Sequence, residues 1–292
     1  MTLGLSHYQL LGEILEKIHY IYDEDELSKV VLDALSNALG TEAGTIYNVS
    51  AALEIIPMAS QGASLHLLKA LGFPAGKGVV GWVAQYGQPA KADEAQTDKR
   101  FLGIADAATG FTTRTILAAP ILARGKVIGV LEFINKKDGA FSSPDLELLS
   151  MIGRELGIAF ENVRLIRELK GNHAHLKSII SGLGAGLIVL DHEQRVVLIN
   201  PRACEILRVE PGLDLGNRPA VSKVSEKAPE FSKLMIALAR SGKPVQRGEF
   251  KTVFEAREIV FGYSAVPVTA EAGLLPGMTF LFQDITAYTE KK

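Results

Sequence analysis

The sequence of 292 residues contains very little cysteine, and Cys204 is its single one. An intrachain disulfide and a cysteine-rich metal site are therefore excluded. An excess of charge of one sign is also lacking, since 31 Lys and Arg residues nearly balance 33 Asp and Glu residues. This balance provides no overall basic field of the kind that attracts nucleic acids or anionic lipids.

Long hydrophobic runs are missing as well. The longest mostly apolar stretch, residues 178–190, is too short and too rich in glycine to cross a bilayer. Residues 1–22 are interrupted by Glu13, Glu16 and Lys17 and lack the apolar core of a signal peptide. We therefore expect a cytoplasmic protein that has neither a nucleic acid nor a membrane as its partner.

A long helical pattern begins at Ser143, a suitable N-cap, and Pro144, a suitable first helical residue. The positions of one seam then recur in steps of three and four: Leu149, Ile152, Leu156, Ala159, Val163, Ile166, Leu169, His173, Leu176, Ile180 and Leu183. Two successive three-residue steps around Ile166 form a stammer. The pattern predicts a coiled-coil-like helix that joins two globular domains and pairs in a homodimer. The alternative is a last helix that packs on its own domain.

The sequence before this helix carries three motifs in a fixed order. They are Gly78-Val-Val-Gly81, Thr109-Gly-Phe-Thr-Thr-Arg114, and Asn135-Lys136 followed by Phe141-Ser-Ser-Pro-Asp145. With them, residues 25–163 resemble a GAF domain, in particular those of cyclic-nucleotide phosphodiesterases and cyclases. The resemblance implies an antiparallel sheet with helices on one face and a small-molecule pocket on the other.

The resemblance also implies site residues. The pocket-lining positions match Val79, Val80, Asp106, Thr109 and Thr113, and a cyclic nucleotide is the implied candidate ligand. A Lys–Asp pair that locks the ligand lid matches Lys136 and Asp145. For both groups local chemistry is the alternative, because Asp145 suits the first turn of a helix and Asp-x-x-Thr-Gly suits a loop. The sequence departs from the family at Leu146, where the family has Glu.

A second departure falls on the family wall that stacks and reads the base. An aromatic residue followed by an acid is replaced here by Ser60-Gln61-Gly62. Trp82 is a candidate for the missing aromatic, although a lone Trp at such a place is more often a core residue. Binding of a cyclic nucleotide thus rests on the remaining positions.

The sequence after the long helix has a second set of motifs. A predicted strand, Gly186-Leu-Ile-Val-Leu-Asp191, precedes a turn, and Ile199-Asn-Pro-Arg-Ala203 follows it. The last motif is Phe282-Gln-Asp-Ile-Thr286. This part resembles a PAS domain, whose Asp-Ile-Thr end typically passes a signal to the next element. A haem is disfavoured because residues 228–240 contain no His, and a LOV-type flavin because Cys204 lies outside the required motif.

The expected fold class is α+β, with two antiparallel-sheet sensor domains joined by the long helix. The expected divisions are an N-terminal helix over 1–24, a GAF domain over 25–165, a helical linker over 166–176 and a PAS domain over 177–292. Within this sequence no nucleophile–base motif, metal motif or complete phosphate-binding loop is present, so we expect no catalysis.

Three functional interpretations remain open. The first is a dimeric sensor that binds a small ligand and signals to an output protein or domain. The second is the input half of a histidine kinase or another signalling enzyme, because the sequence ends eight residues after Asp284. The third is a dimerisation scaffold with empty pockets.

Overall fold

A computed structural model of the chain describes residues 5–18, 20–73, 76–209, 229–254, 257–268 and 277–289. The chain divides into two compact units, Met1–Lys170 and Gly171–Lys292. Each unit contains a five-stranded sheet whose neighbouring strands are antiparallel. The predicted mixture of helices with two antiparallel sheets is therefore confirmed.

The elements of the first unit follow in chain order. They are α1 (Leu5–Ile18), α2 (Glu24–Leu39), β1 (Thr41–Val49), β2 (Ile55–Gln61), α3 (Leu65–Leu71), α4 (Gly78–Tyr86), β3 (Ala90–Ala92), a 3-10 turn (Ala95–Thr97), α5 (Ile104–Thr109), β4 (Ile116–Ala123), β5 (Lys126–Lys136) and α6 (Ser143–Gly182). The strand order β2-β1-β5-β4-β3 places β5 at the centre of the sheet.

The two faces of this sheet bury different apolar sets, because successive side chains of a strand point to opposite faces. Ile46, Leu131 and Phe133 belong to a core that also contains residues of α1, α2 and α6. Tyr47 and Val130, their neighbours along the strands, belong to a second core with residues of α4. The second face therefore carries α4 and leaves room for a cavity beside it.

The first half of α6 packs within the first unit. Leu149, Ile152 and Leu156 are fully buried in its core. Gly157 approaches the carbonyl oxygen of Leu122 so closely that a Cβ atom at this position would collide with it. The prediction that the complete seam faces a second copy is wrong for this half, and these residues pack on their own domain as the alternative expected.

The N-terminus of α6 is capped by Ser142 rather than by Ser143, so the predicted cap is displaced by one residue. Ser142 Oγ accepts a hydrogen bond from the Asp145 amide over 3.2 Å, and Asp145 Oδ2 accepts one from the Ser142 amide over 2.7 Å. This reciprocal pair satisfies two amide groups at the start of the helix.

The second unit contains β6 (Gly186–Asp191), β7 (Val196–Ile199), α7 (Pro201–Leu207), α8 (Pro229–Ser241), β8 (Val245–Phe254), β9 (Arg257–Val268), β10 (Gly277–Asp284) and α9 (Thr286–Thr289). Its sheet has the order β7-β6-β10-β9-β8. The core between α8 and the sheet is built on Phe231, whose ring centroid lies 4.9 Å from that of Phe261 and 5.0 Å from that of Phe282. Such aromatic contacts favour specific ring orientations, and they stabilise the core beyond the effect of the apolar area that is buried.

Asn200 connects four backbone groups of the second unit. Its Oδ1 accepts hydrogen bonds from the amides of Leu187 and Ala203, each over 2.8 Å. Its Nδ2 donates to the carbonyl oxygens of Ile180 at 3.1 Å and Ala185 at 2.9 Å. Since Ile180 lies in the last turn of α6, this buried side chain attaches the end of α6 to β6 and α7.

Candidate ligand-binding site

A cavity of about 70 Å³ lies on the face of the first sheet that carries α4 and α5. Every predicted pocket residue lines it, although these residues come from three separate segments: Val79, Val80, Asp106, Thr109 and Thr113. The valines enter from the first turn of α4, where both are buried. Asp106 and Thr109 enter from α5, and Thr113 from the loop that follows it. The structure thus brings the predicted residues together, and ligand binding by them stays a prediction.

The volume of the cavity limits what enters it without a structural change. Small-molecule sites usually measure about 300–1,000 Å³, several times more than this cavity. The wall most suited to move is α5, a helix of six residues that buries none of them. Segments with few buried contacts open at low free-energy cost. A nucleotide-sized ligand therefore needs more room than the cavity offers in this structure.

Asp106 already has donors for both carboxylate oxygens. Its Oδ1 accepts a hydrogen bond from Thr113 Oγ1 over 2.6 Å. Its Oδ2 accepts from the Thr113 amide over 2.8 Å and from Gln96 Nε2 over 3.1 Å. The carboxylate ties the loop after α5 to α5 and to the 3-10 turn, which is the loop chemistry considered as the alternative for this residue.

The Thr109 hydroxyl is occupied in the same way. It donates a hydrogen bond to the carbonyl oxygen of Ala105 over 2.7 Å, four residues earlier in α5. Gly110 then ends the helix with φ 71°, in the left-handed region that glycine adopts without strain. Both threonine hydroxyls therefore have partners within the protein, and a ligand must displace those bonds to use them.

Glu132 is a cavity residue that sequence reasoning missed. It lies in the central strand β5 and lines the cavity, where the Tyr47 hydroxyl donates a hydrogen bond to its Oε2 over 2.8 Å. Burial raises the pKa of Glu132 to about 7; the Tyr47 bond opposes this shift and the charge of Asp106 adds to it. The pKa of Tyr47 is raised well above its usual value, mainly by burial and then by the charge of Glu132.

The sequence does contain a signal for Glu132. It interrupts the apolar run Val130-Leu-Glu-Phe-Ile134 in the middle of a predicted strand. Charged residues are rare in central strands unless they are paired or face a cavity, and ionisable groups with perturbed pKa values concentrate at functional sites. A charged residue inside a predicted core strand is therefore a sequence signal for a cavity or a functional site.

Aromatic side chains form much of the apolar wall. Tyr47, Phe73, Phe101 and Phe111 line the cavity, and the rings of Tyr47 and Phe73 meet edge to face at 5.4 Å. Trp82 lies outside this wall, where Arg100 stacks over its ring at 5.1 Å. The structure thus supplies aromatic faces to the cavity from positions other than Ser60, Gln61 and Trp82, which the sequence comparison considered.

The predicted pair Lys136 and Asp145 is in contact, with Lys136 Nζ at 2.5 Å from Asp145 Oδ2. Asp145 Oδ1 also lies 3.4 Å from His7 Nε2. Burial alone raises the pKa of Asp145, but the hydrogen bonds from Lys136 and Ser142 outweigh it and lower the pKa below its usual value. Neither Lys136 nor Asp145 lines the cavity. Their role as a lid lock stays a prediction.

Asn135 explains the position of Lys136. It adopts φ 55°, which interrupts the alternation of β5 immediately before Lys136. The Asn135 side chain is fully buried; its Oδ1 accepts from the Arg114 amide over 2.7 Å, and its Nδ2 donates to Glu42 Oε2 over 2.8 Å. The Asn135 side chain therefore anchors the end of the loop after α5, which contributes Phe111 and Thr113 to the cavity lining.

Metal and thiol chemistry find little support in the described residues. No group of three or more His, Cys, Asp or Glu side chains in that part of the chain is placed to hold a metal ion. Cys204 is buried on α7, and burial raises the pKa of its thiol. None of the helices described is both long and apolar enough to span a membrane.

Comparison with known proteins agrees with this fold. The family model of the GAF domain matches residues 23–160, and that of the PAS fold matches residues 180–290. The chain therefore carries a GAF domain followed by a domain of the PAS fold, as its motifs predicted. These two domain types define the class to which the chain belongs, a sensor or regulatory module.

Individual relatives match the GAF part. A probable 3',5'-cyclic phosphodiesterase, pde-5, of Caenorhabditis elegans is 37% identical over 102 residues, which are 35% of this chain and 14% of that protein. A dual 3',5'-cyclic-AMP and -GMP phosphodiesterase 11A of Takifugu rubripes is 27% identical over 171 residues, 58% of this chain and 18% of that protein. The chain thus spans less than a fifth of the length of these relatives.

A solved structure shows the same fold. The GAF domain of a phosphoenolpyruvate-protein phosphotransferase (ptsP) from Coxiella burnetii has a TM-score of 0.51 at 18% identity. It covers 56% of this chain and 98% of its own. At this identity the likeness concerns the fold alone.

Proposed function

We propose that this chain is a regulatory sensor whose GAF domain binds a small organic ligand in the cavity between β5, α4 and α5. The observation that carries the proposal is the composition of the cavity. Aromatic faces surround a small number of convergent polar groups, the pattern of small-molecule sites. The proposal assigns no catalytic step to this chain.

A cyclic nucleotide is the first ligand to test, because the relatives include phosphodiesterases that act on cyclic nucleotides and are similar over the GAF region. The experiment is native mass spectrometry of the purified protein, followed by thermal unfolding with cyclic GMP and cyclic AMP. Stabilisation by one of them or a retained small molecule supports the proposal. If no small molecule is retained and neither nucleotide stabilises the protein, the proposal is contradicted and the scaffold interpretation is favoured.

We propose further that α6 transmits the signal as a parallel coiled coil with a second copy. A strict heptad pattern follows an exposed face of α6, different from the seam that the sequence suggested. Its members recur in alternating steps of four and three: Ile158, Asn162, Leu165, Leu169, Asn172, Leu176 and Ile179. All are exposed, and Leu169 has 68% of its surface accessible. A period of 3.5 residues suits a coiled-coil partner better than a globular surface.

One polar residue of the heptad pattern and two that flank it support the pairing with a second copy. In heptad notation Asn162 takes an a position, where a buried Asn fixes register and favours a parallel dimer. Glu168 takes a g position and His173 an e position, so Glu168 of one copy lies beside His173 of the second copy in a parallel pair. The chain therefore complements itself along this face.

A second candidate function is the input part of a larger signalling enzyme. It is favoured by the relatives, in which the similar region forms 14% and 18% of the protein. In that arrangement the same α6 pair delivers the signal to an output domain. Sequencing of the coding region beyond Lys292 distinguishes an attached output domain from a separate output protein.

A further inference from the structure

The strand β2 forms one edge of the first sheet and pairs with β1 on its inner side. Part of its outer side is already covered, because Ile55 forms an isolated antiparallel bridge with Phe73. No strand or bridge of the described chain pairs with residues 58–61 on this outer side. Unpaired backbone groups at a sheet edge are a template for an added strand.

A groove of about 480 Å³ lies along this uncovered part of the edge. Residues 58–61 line it without a gap, together with residues of α2 and α3. The helix α2 packs on one face of the sheet, in the core that contains Ile46. The helix α3 belongs to the other face, because its Leu68 lines the GAF cavity. An added strand therefore enters between two helices, whose apolar contribution to the groove comes from Leu32 and Leu65.

The side chain of Gln61 is a second observation at this edge. Gln61 ends β2 and lines the groove. Its amide oxygen, Oε1, is buried and has no hydrogen-bond partner among the described residues. Native proteins rarely leave a buried polar group in this state. The backbone of a peptide that lies along the edge brings N–H donors next to this amide.

We propose that the edge of β2 between α2 and α3 binds an extended peptide segment of another protein, in which basic side chains alternate with apolar ones. The segment adds a sixth strand to the first sheet. In this mode of recognition main-chain hydrogen bonds supply the affinity, and the alternate side chains supply the specificity. The inference goes beyond the proposed sensor function and does not depend on the GAF cavity.

The charges of the two walls define the chemistry of the segment. Asp25, Lys29 and Asp33 line the groove from α2, and Leu65 and Lys69 line it from α3. None of these charged side chains forms an ion pair within the part of the chain that the structure describes. Successive side chains of a strand point to opposite faces. One set therefore meets the net negative wall of α2, which favours basic residues, and the other set meets Leu65.

The test is fluorescence anisotropy of the full chain with a labelled peptide, acetyl-Lys-Val-Lys-Val-Lys-Val. The matched acidic peptide has Glu in place of each Lys. Two further peptides are N-methylated, one at its lysines and the other at its valines. Because the N–H groups of alternate residues point to the same side of a strand, one of these peptides loses its bonds to β2 and the other keeps them.

We expect the basic peptide to bind at least tenfold more tightly than the acidic peptide and than one of the two N-methylated peptides. The other N-methylated peptide keeps the affinity of the parent. Asp33→Lys should weaken binding of the basic peptide tenfold, whereas Lys69→Glu should strengthen it, and a damaged fold does not produce this opposite pair of effects. Glu26→Lys, at an exposed acid of α2 outside the groove, is the matched control. At 0.15 M salt, where the screening length is about 8 Å, it should bind like the wild type.

Four results overturn the inference. The first three are no binding of the basic peptide up to about 1 mM, parent affinity for both N-methylated peptides, and wild-type affinity in both Asp33→Lys and Lys69→Glu. The fourth is a dimer in sedimentation that Asp33→Lys dissociates, which assigns the edge to a second copy. The proposed sensor function stands in each case, because neither Asp33 nor Lys69 lines the GAF cavity.

Discussion

The hydroxyl of Tyr47 donates a hydrogen bond to Glu132 Oε2 over 2.8 Å inside the GAF cavity. The two residues lie diagonally across the neighbouring strands β1 and β5, since Tyr47 pairs with Val130 and Glu132 pairs with Thr45. Diagonal neighbours on one face are within reach of long side chains. The pair therefore belongs to the sheet itself, and neither of its residues lies in α5.

The first prediction concerns the stability of the protein as a function of pH. The pKa of Glu132 is about 7 in the folded protein, against 4.5 for an ordinary Glu. Between these values the folded state binds more protons than the unfolded state, so stability is full below about pH 4.5 and is lost as the pH rises through 7. Relative to Glu132→Gln, we expect the wild type to lose up to about 3 kcal/mol of unfolding free energy between pH 5 and pH 8. Urea unfolding at several pH values measures this, and parallel curves for the two proteins contradict it.

The second prediction is that Tyr47→Phe raises the pKa of Glu132 further. The variant keeps the ring but removes the hydrogen bond that stabilises the charged carboxylate. Hydrogen bonds to charged groups contribute about 1.5–3 kcal/mol, which corresponds to about one to two pH units. Carboxyl-carbon NMR titration of Glu132 measures the shift. A variant that titrates at the wild-type midpoint shows that Tyr47 does not hold the charge.

The pocket-lining positions implied by the GAF resemblance do line one cavity: Val79, Val80, Asp106, Thr109 and Thr113. They come from α4, α5 and the loop after α5, so it is the tertiary fold that brings them together. Glu132 was missed although it interrupts the apolar run of its strand, because only the tertiary fold shows that one face of β5 borders a cavity. The family motifs identify part of the cavity wall, whereas the hydrogen bonds that already occupy its polar groups, such as the one from Thr113 to Asp106, depend on the fold.

The two faces of α6 show a second limit. Steps of three and four describe any amphipathic helix, so periodicity alone does not distinguish a core face from a face for a second copy. The predicted seam combined both: Leu156 is fully buried in its own domain, whereas Leu169 is exposed. Burial in the folded domain separates the two, and the heptad pattern from Ile158 to Ile179 emerges once the buried residues are set aside.

The third prediction concerns the contact between Lys136 and Asp145. Because the folded protein lowers the pKa of Asp145 below 3.8, its stabilising contribution is present above that pH and is lost as the pH falls through the folded value. Asp145→Asn should cost about 1–3 kcal/mol at pH 7, because it weakens a largely buried ion pair and a helix cap. Chemical unfolding measures the loss, with Asp138→Asn in the nearby exposed loop as the control.

A variant of the other partner, Lys136→Met, tests the lid-lock role. If the pair closes the cavity, Lys136→Met accelerates ligand dissociation beyond its effect on stability. If the pair only caps α6, stability falls and the dissociation rate of a bound ligand stays the same. Stopped-flow dissociation of a ligand identified by native mass spectrometry or thermal unfolding separates the two outcomes.

The fourth prediction concerns the two faces of α6. Leu169→Asp places a charge in the proposed dimer face and should weaken dimerisation at least a hundredfold, because an unpaired buried charge costs about 3–5 kcal/mol. Its helical content should otherwise resemble that of the wild type. Leu156→Asp should instead unfold the GAF domain, since Leu156 is fully buried within it.

Sedimentation velocity and circular dichroism measure these effects together. Lys177→Asp is the matched control, because Lys177 takes a b position that points away from a parallel partner. A wild type that remains monomeric at tens of micromolar, a Leu169→Asp dimer, or equal loss in the control excludes the proposed pairing.

The fifth prediction concerns Asn200, which joins the last turn of α6 to the PAS unit. Asn200→Ala leaves the amides of Leu187 and Ala203 and the carbonyl oxygens of Ile180 and Ala185 without this partner. Each buried polar group without a partner costs about 1–3 kcal/mol, so we expect a loss of at least 3 kcal/mol from the unfolding free energy of the PAS unit. Hydrogen exchange should accelerate at residues 180–187, where the bonds are lost.

The exposed Asn48 of β1 serves as the control, because Asn48→Ala should leave exchange in this segment unchanged. Wild-type protection of residues 180–187 in Asn200→Ala shows that the attachment of α6 to the PAS unit does not depend on this side chain.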